Sequence, residues 1–233
     1  MKDRRFRTAQ FVMLCALAAL GAGAANGKDC KGVNFPDQVQ VEGTSLTLNG
    51  LGLRQATAFK VNVYVAALYV AKTSTDPNAL LGSNTPSELI LQFVRNVGAD
   101  DLRKAWSEGF EKNAKDQLPA LKERIAMLNG WMADVKTGER LSFVHRPGAG
   151  IEVVVGGASK GTIKGDDFAK AFLSIWLGAD PPNPEIKAGL LGGACGESTS
   201  WRCAVPSTAY ASLPCVVTAA KSNFSADASG RSG

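Results

Sequence analysis

"FKVNVYVAALYV", residues 59–70, is the stretch on which the fold turns. Its β-branched and aromatic residues, short length and alternation mark a strand. Alternation puts Phe59, Val61, Val63 and Val65 on one face and Lys60, Asn62, Tyr64 and Ala66 on the other. A strand buried on both sides would be apolar throughout, so a face with a lysine, an amide and a phenol belongs to an antiparallel sheet. That face looks either at solvent or into a pocket.

Upstream, "VQV" at 39–41 and "LTL" at 46–48 alternate across Glu42-Gly43-Thr44, which predicts two short strands and a turn. "NGLGLR" at 49–54 has two glycines two residues apart. A phosphate loop needs the longer G-x-G-x-x-G pattern between a strand and a helix. Here a strand follows, so the glycines are expected at a bend or bulge. Downstream, "SELILQFVRNV" at 87–97 reads as another strand.

From Asp100 the period lengthens. Leu102, Trp106, Phe110, Leu118, Leu121 and Ile125 recur at helical spacing with charges between them. Pro119 ends the first helix near Gln117 and opens a second, which Asn129-Gly130 closes. "ERLSFVHR" at 139–146 and "GIEVVVGG" at 150–157 flank a Pro-Gly-Ala turn as a hairpin, and "SKGTIKG" continues it. Asp166 or Asp167 is expected to cap the helix "FAKAFLSIWLG", and "PPNPEIKAGLLGG" supplies a last short one. Strands, a helix pair, strands, then helices describe an α+β fold: a large antiparallel sheet with helices packed on one face.

The chain has 233 residues, 45% hydrophobic and 20% charged, enough for a sizeable core. "MKDRRFRTAQFVMLCALAALGAGA", residues 1–24, gives a basic start, an apolar run and small residues, the order of a cleavable signal peptide. The expected location is periplasmic or secreted. No later stretch is long and apolar enough for a transmembrane segment in the mature protein. Removing residues 1–24 takes four of 26 basic and one of 21 acidic residues, leaving 22 against 20, so the basic balance gives little reason to expect a nucleic-acid partner. The folded domain is expected over 25–193, and the Ser- and Ala-rich tail, 194–233, is expected to be poorly ordered unless disulfides tie it down. Cys30, Cys195, Cys203 and Cys215 allow two disulfides in three pairings. No close cysteine spacing or neighbouring histidine suggests zinc, and no metal or cofactor is expected.

Catalytic motifs are absent. His145 is the one histidine, on a predicted strand beside a turn and expected at its surface, and there is neither H-E-x-x-H nor G-x-S-x-G. Asp100 and Asp101 precede a helix, where acids favour the dipole.

Taken together, "GLGLR" with "FKVNVYVAALYV", "LQFVRNVGADDLRKAWSEGF", "MADVKTGERLSFVHRPGAGIEVVVGGASKGTIKG" and "FAKAFLSIWLGADPP" resemble the chalcone isomerase-like family in its exported bacterial form. The resemblance covers about residues 33–193 and implies an open-faced β-sandwich with a ligand cleft between sheet and helices. The family holds enzymes that close a chalcone to a flavanone and relatives that bind fatty acids without that chemistry. Arg54 matches the arginine both branches use, and Tyr64 falls where the isomerases carry a threonine and the fatty-acid binders a tyrosine. The isomerases' tyrosine, asparagine, lysine and late threonine or serine fall here at Leu102, Gly109, Phe93 and Ile175.

Ring closure needs preorganised donors around the developing charge. Those replacements remove most of them. A guanidinium and a phenol in an apolar cleft suit instead a carboxylate head group with an acyl chain. The expected activity is therefore non-catalytic binding of a fatty acid or similar amphipathic carboxylate, with Arg54, Tyr64 and Asn62 as candidate contacts. An isomerase or lyase using Arg54 and Tyr64, and an envelope scaffold with a filled cleft, are the rival readings. Lys60 is expected to guard a strand edge, and Arg95 to be an edge charge or a second cation at the cleft.

Overall fold

The computed structural model describes residues 27–196. The expected signal peptide and most of the tail, with Cys203 and Cys215, lie outside the described residues. Strands β1 (Gly27–Cys30) and β2 (Val33–Pro36) form a hairpin of their own. The main sheet runs in chain order through β3 (Gln38–Val41), β4 (Thr44–Ala56), β5 (Val61–Val70), β6 (Ser87–Phe93), β7 (Arg140–Arg146), β8 (Gly150–Val155) and β9 (Ala158–Lys164). Every neighbouring pair is antiparallel. Helix α1 (Pro77–Leu81) follows β5, α2 (Ala99–Asn113) and α3 (Leu118–Gly130) follow β6, and α4 (Asp166–Leu177) and α5 (Pro184–Leu190) follow β9.

Alternation divides the apolar residues into two cores. Tyr64, Ala66, Leu68 and Val70 of β5 join Leu89, Leu91, Phe93, Leu141, Phe143, Ile151 and Val153 against the helices. Val65, Ala67 and Tyr69 join Leu46, Leu48, Leu51 and Leu53 on the outer face. Helix α4 is buried along nearly its whole length from Phe168 to Leu177, as expected of a helix apolar all round. Its Phe168, Phe172 and Trp176 pack with Trp106 and Phe110 of α2 and Phe143 of β7, ring centroids 4.6 to 6.3 Å apart.

The outer face is also covered. Phe35, Val33 and Cys30 of the β1–β2 hairpin belong to its core, and the Tyr69 hydroxyl donates to the Pro36 carbonyl at 2.9 Å. Cys30 forms a disulfide with Cys195, which selects one of the pairings left open and holds the segment after α5 against the hairpin.

Two irregularities interrupt the β4–β5 register. One inserts Asn49 into β4, between the pairs Leu48–Tyr69 and Gly50–Leu68. The other inserts Val63 into β5, between Arg54–Tyr64 and Gln55–Asn62. Each is a β-bulge, which shifts the alternation by one residue. The glycines expected at a bend or bulge do follow the first of them, and they serve a closer purpose. A Cβ on Gly50 would stand 2.1 Å from the Gly189 carbonyl oxygen, and one on Gly52 2.4 Å from that of Ile186, so both admit the α5 backbone.

Several boundaries differ from the periodicity. Strand β5 begins at Val61 rather than Phe59, because Thr57 and Lys60 take left-handed backbone in a turn that leaves Phe59 exposed. Helix α2 ends at Asn113, and a 3-10 turn, Lys115–Gln117, leads into α3. Gly165, not an aspartate, occupies the position before α4. Asp166 instead accepts the Gly148 N–H, and Asp167 holds Arg124 at 2.7 Å. His145 is buried, not on the surface, with Nε2 3.4 Å from Asp166. Among the described residues no helix is long and apolar enough to cross a membrane, and no cluster of His, Cys, Asp and Glu could hold a metal.

Candidate functional site

A cavity of about 430 Å³ lies between the β4–β5–β6 end of the sheet and α2, within the usual size of small-ligand pockets. Helical spacing brings Leu102, Trp106 and Gly109 to the same side of α2, and these three are buried in the cavity wall. Tyr64 of β5, Phe93 of β6 and Ile175 of α4 complete a buried apolar floor. Tyr64 and Phe93 are cross-strand partners with rings 5.4 Å apart. The rim is polar and exposed, with Thr57, Arg95, Asn96, Asp101, Glu108 and Lys112.

Gly109 is a packing requirement of this floor. A Cβ there would lie 2.7 Å from the Ile175 side chain, so α2 and α4 touch where the isomerase resemblance would place an asparagine. Phe93, Leu102 and Ile175, the other three replaced positions, line the same cavity. The donors that ring closure would call on are absent from these four places, and hydrocarbon occupies them.

Arg54 and Tyr64 are direct cross-strand partners, so their side chains leave the same face of the sheet, and both line the cavity. The guanidinium is anchored by one nitrogen. Nη1 donates to the carbonyls of Gln55 and Pro182, the latter at 2.8 Å, and lies 3.5 Å from Asn183 Oδ1. Asn183 secures this loop to β4 by accepting the Gln55 N–H and donating to the Leu53 carbonyl. Nε and Nη2 have no hydrogen-bond partner among the described residues, which leaves one edge of the fork able to take a carboxylate side-on.

The Tyr64 hydroxyl is fixed in its role by Trp176. The indole Nε1–H donates to Tyr64 Oη at 3.0 Å, which occupies an oxygen lone pair and leaves the phenolic hydrogen free to donate elsewhere. Burial pushes the phenol up to about 12, against the smaller opposing pulls of the Trp176 N–H and the Arg54 charge. At neutral pH it is a donor.

Asn62 stands apart. The Val63 bulge turns it to the outer side with Gln55, whose Nε2 donates to Asn62 Oδ1 at 3.0 Å, and it does not line the cavity. Strict alternation, assumed from the sequence, placed it beside Tyr64. Val63 takes the inward position instead and lines the cavity. Lys60 stays outside, 3.7 Å from Glu185, whereas Arg95 belongs to the rim. Sequence reading missed the part played by Trp176 and the Pro182–Asn183 cradle. A signal for the cradle was present: "PPNP" at 181–184 is rich in carbonyls and poor in N–H groups, which suits it to accept from an arginine.

The sequence profile of the chalcone isomerase-like family matches residues 27–192. The crystal structure of a fatty-acid binding protein from Arabidopsis thaliana superposes with a TM-score of 0.52 at 16% identity, covering 69% of this chain and 92% of that one. At that identity the likeness speaks for the fold. No curated protein sequence matches the chain significantly.

Proposed function

The chain belongs to the chalcone isomerase-like family, and on that premise we propose that it is a non-catalytic binding protein for a fatty acid or a similar amphipathic carboxylate. The observation that carries this reading is the convergence of the open Arg54 edge and the Tyr64 hydroxyl on a cavity whose floor is otherwise hydrocarbon. A carboxylate accepts two parallel bonds from a guanidinium and a third from a phenol, and charged hydrogen bonds are worth more inside a partly desolvated cleft. The acyl chain then covers Phe93, Leu102 and Ile175. The fatty-acid binding activity named for the plant structure supports the same direction.

Export belongs to this proposal. The basic, apolar and small-residue order of residues 1–24 supports a periplasmic or secreted protein, and so does the Cys30–Cys195 disulfide, a bond that persists in oxidising compartments. Titration calorimetry of the purified protein with dodecanoate tests the head-group assignment. Arg54→Ala is expected to weaken binding by about 1.5 to 3 kcal/mol, roughly tenfold to a hundredfold. Equal affinity in wild type and variant would remove Arg54 from the site.

A further inference from the structure

Phe59 is the most exposed large apolar side chain among the described residues, at 89%, and only Met127, at 47%, joins it. It stands in the turn 57–60 that joins β4 to β5. In the same hairpin Ala56 and Thr57 line the cavity described above, and Thr57 is itself exposed, so this turn forms one lip of the cavity mouth.

The turn is built to hold its ring out. The Lys60 N–H donates to the Thr57 carbonyl at 3.1 Å, Gln55 Nε2 donates to the Lys60 carbonyl at 3.2 Å, and Lys60 Nζ lies 3.7 Å from Glu185. Thr57 and Lys60 take left-handed backbone, φ 62° and 51°, which is costly for residues other than glycine. A turn closed in this way presents Phe59 to water, where a polar residue would serve the fold as well.

The surroundings of the ring select its partner. A stable protein interface needs about 800 Å² from each side around a packed apolar centre, and here a single ring rises from a polar rim. Ion pairs join Lys60 to Glu185, Lys112 to Asp180 and Lys104 to Glu108, and Arg95 shares the rim with Asp101, so the charges around the mouth nearly cancel. A surface of balanced charge matches zwitterionic phospholipid headgroups, and a ring that reaches past them needs no shape complementarity from a fluid partner. The ligand class points the same way. Each methylene of an acyl chain raises its preference for lipid about fourfold, so a protein that collects or delivers such an acid meets it at a bilayer.

We propose that the 57–60 turn is a bilayer contact: Phe59 inserts into a zwitterionic phospholipid surface and brings the cavity mouth to the membrane, where the acid passes between bilayer and cavity. The inference rests on the acid-binding reading above and adds the partner with which the ligand is exchanged. One ring anchors weakly, so the contact is brief and shows in transfer rates.

The experiment mixes dodecanoate-loaded protein with phosphatidylcholine vesicles that hold a trapped pH dye, which reports the acid entering the bilayer. The wild-type transfer rate is expected to climb with vesicle concentration and to be about tenfold lower in Phe59→Ser. Calorimetric affinity for dodecanoate should stay within about twofold, because Phe59 does not line the cavity. Raising the salt should change the wild-type rate by less than about twofold, whereas a steep fall would mean that charge and not the ring makes the contact. Phe59→Trp gives a readout independent of the acid: vesicles of brominated phosphatidylcholine should quench its fluorescence beyond the quenching seen in wild type.

A transfer rate that ignores vesicle concentration, or that is equal in wild type and Phe59→Ser, overturns the bilayer contact and leaves acid binding intact. A concentration-dependent dimer that Phe59→Ser dissolves, with no added quenching in Phe59→Trp, overturns it in favour of a second copy of the chain. If no acid binds, the exchange falls with the acid-binding reading, while the quenching of Phe59→Trp still decides the contact.

Discussion

The β4–β5 ribbon carries a bulge near each end, and the two ends use the same irregularity in opposite ways. At the Asn49 end the inserted side chain is buried and fully engaged. Its Nδ2 donates to the carbonyls of Ser74 and Leu190 at 3.0 and 2.7 Å, and its Oδ1 accepts the Ser74 N–H at 2.8 Å. At the Val63 end the inserted residue is apolar, and the polar groups beside it are only half engaged. Arg54 keeps an open edge, and the Tyr64 hydroxyl keeps its hydrogen. A closed network fixes the chain, whereas an incomplete one next to a cavity is disposed to bind. The difference lies in where the donors end, not in the backbone device.

The comparison can be broken first at its closed end. Asn49→Ala deletes three hydrogen bonds and strands two carbonyls and an N–H around the turn and α5, so unfolding should become easier by about 3 kcal/mol in denaturant titration. Dodecanoate affinity of the folded variant should stay within about twofold, because Asn49 is not part of the cavity. A large loss of affinity with little change in stability would reverse the roles assigned to the two ends.

At the open end, Tyr64→Phe should weaken dodecanoate binding by about 1 kcal/mol, less than the loss expected for Arg54→Ala, since a neutral donor is worth less than a charged one. It also leaves the Trp176 N–H without its acceptor, so a modest drop in melting temperature should accompany the change.

The smallest effect is a flat line. With its phenol raised to about 12, Tyr64 remains a donor where an ordinary tyrosine is already ionising, so acid affinity should change little from about pH 8 to about pH 10. The same shift has a stability consequence. A pKa raised on folding contributes fully below the unfolded value near 10 and is lost as pH climbs toward 12, because the unfolded phenol ionises first. Alkaline unfolding should therefore show a component between those values that Tyr64→Phe removes. An affinity that halves near pH 10 would mean a phenol in contact with water.

Much of the scaffold was legible in the chain. Strand patterning located β5 to β8 but read β4 only as a short strand at 46–48, while the change at Asp100 located α2 and Pro119 marked the start of α3, because each reports a local conformational constraint. The hairpin of β7 and β8 announced itself through its Pro-Gly turn. Boundaries were less legible. Thr57 and Lys60 carry no glycine signal for left-handed backbone, so the start of β5 was read two residues early. His145 was expected at the surface because nothing local reveals that α4 begins beside it with Asp166.

By itself the sequence determined that one face of the 59–70 strand would hold a phenol, since side-chain direction follows the local period, whereas that β4 runs on through Arg54 came from the structure. Tertiary structure decided which neighbours share that face. The Val63 bulge arises from pairing with β4, so it could not be read from β5 alone, and one inserted residue sends Asn62 outward while leaving Arg54 and Tyr64 together. Long-range packing likewise brought Trp176 to the Tyr64 hydroxyl, 112 residues away, and pressed Gly109 against Ile175. The physical reason is that hydrogen-bond completion and close packing depend on groups distant in the chain, whereas the strand period depends only on the residues within it.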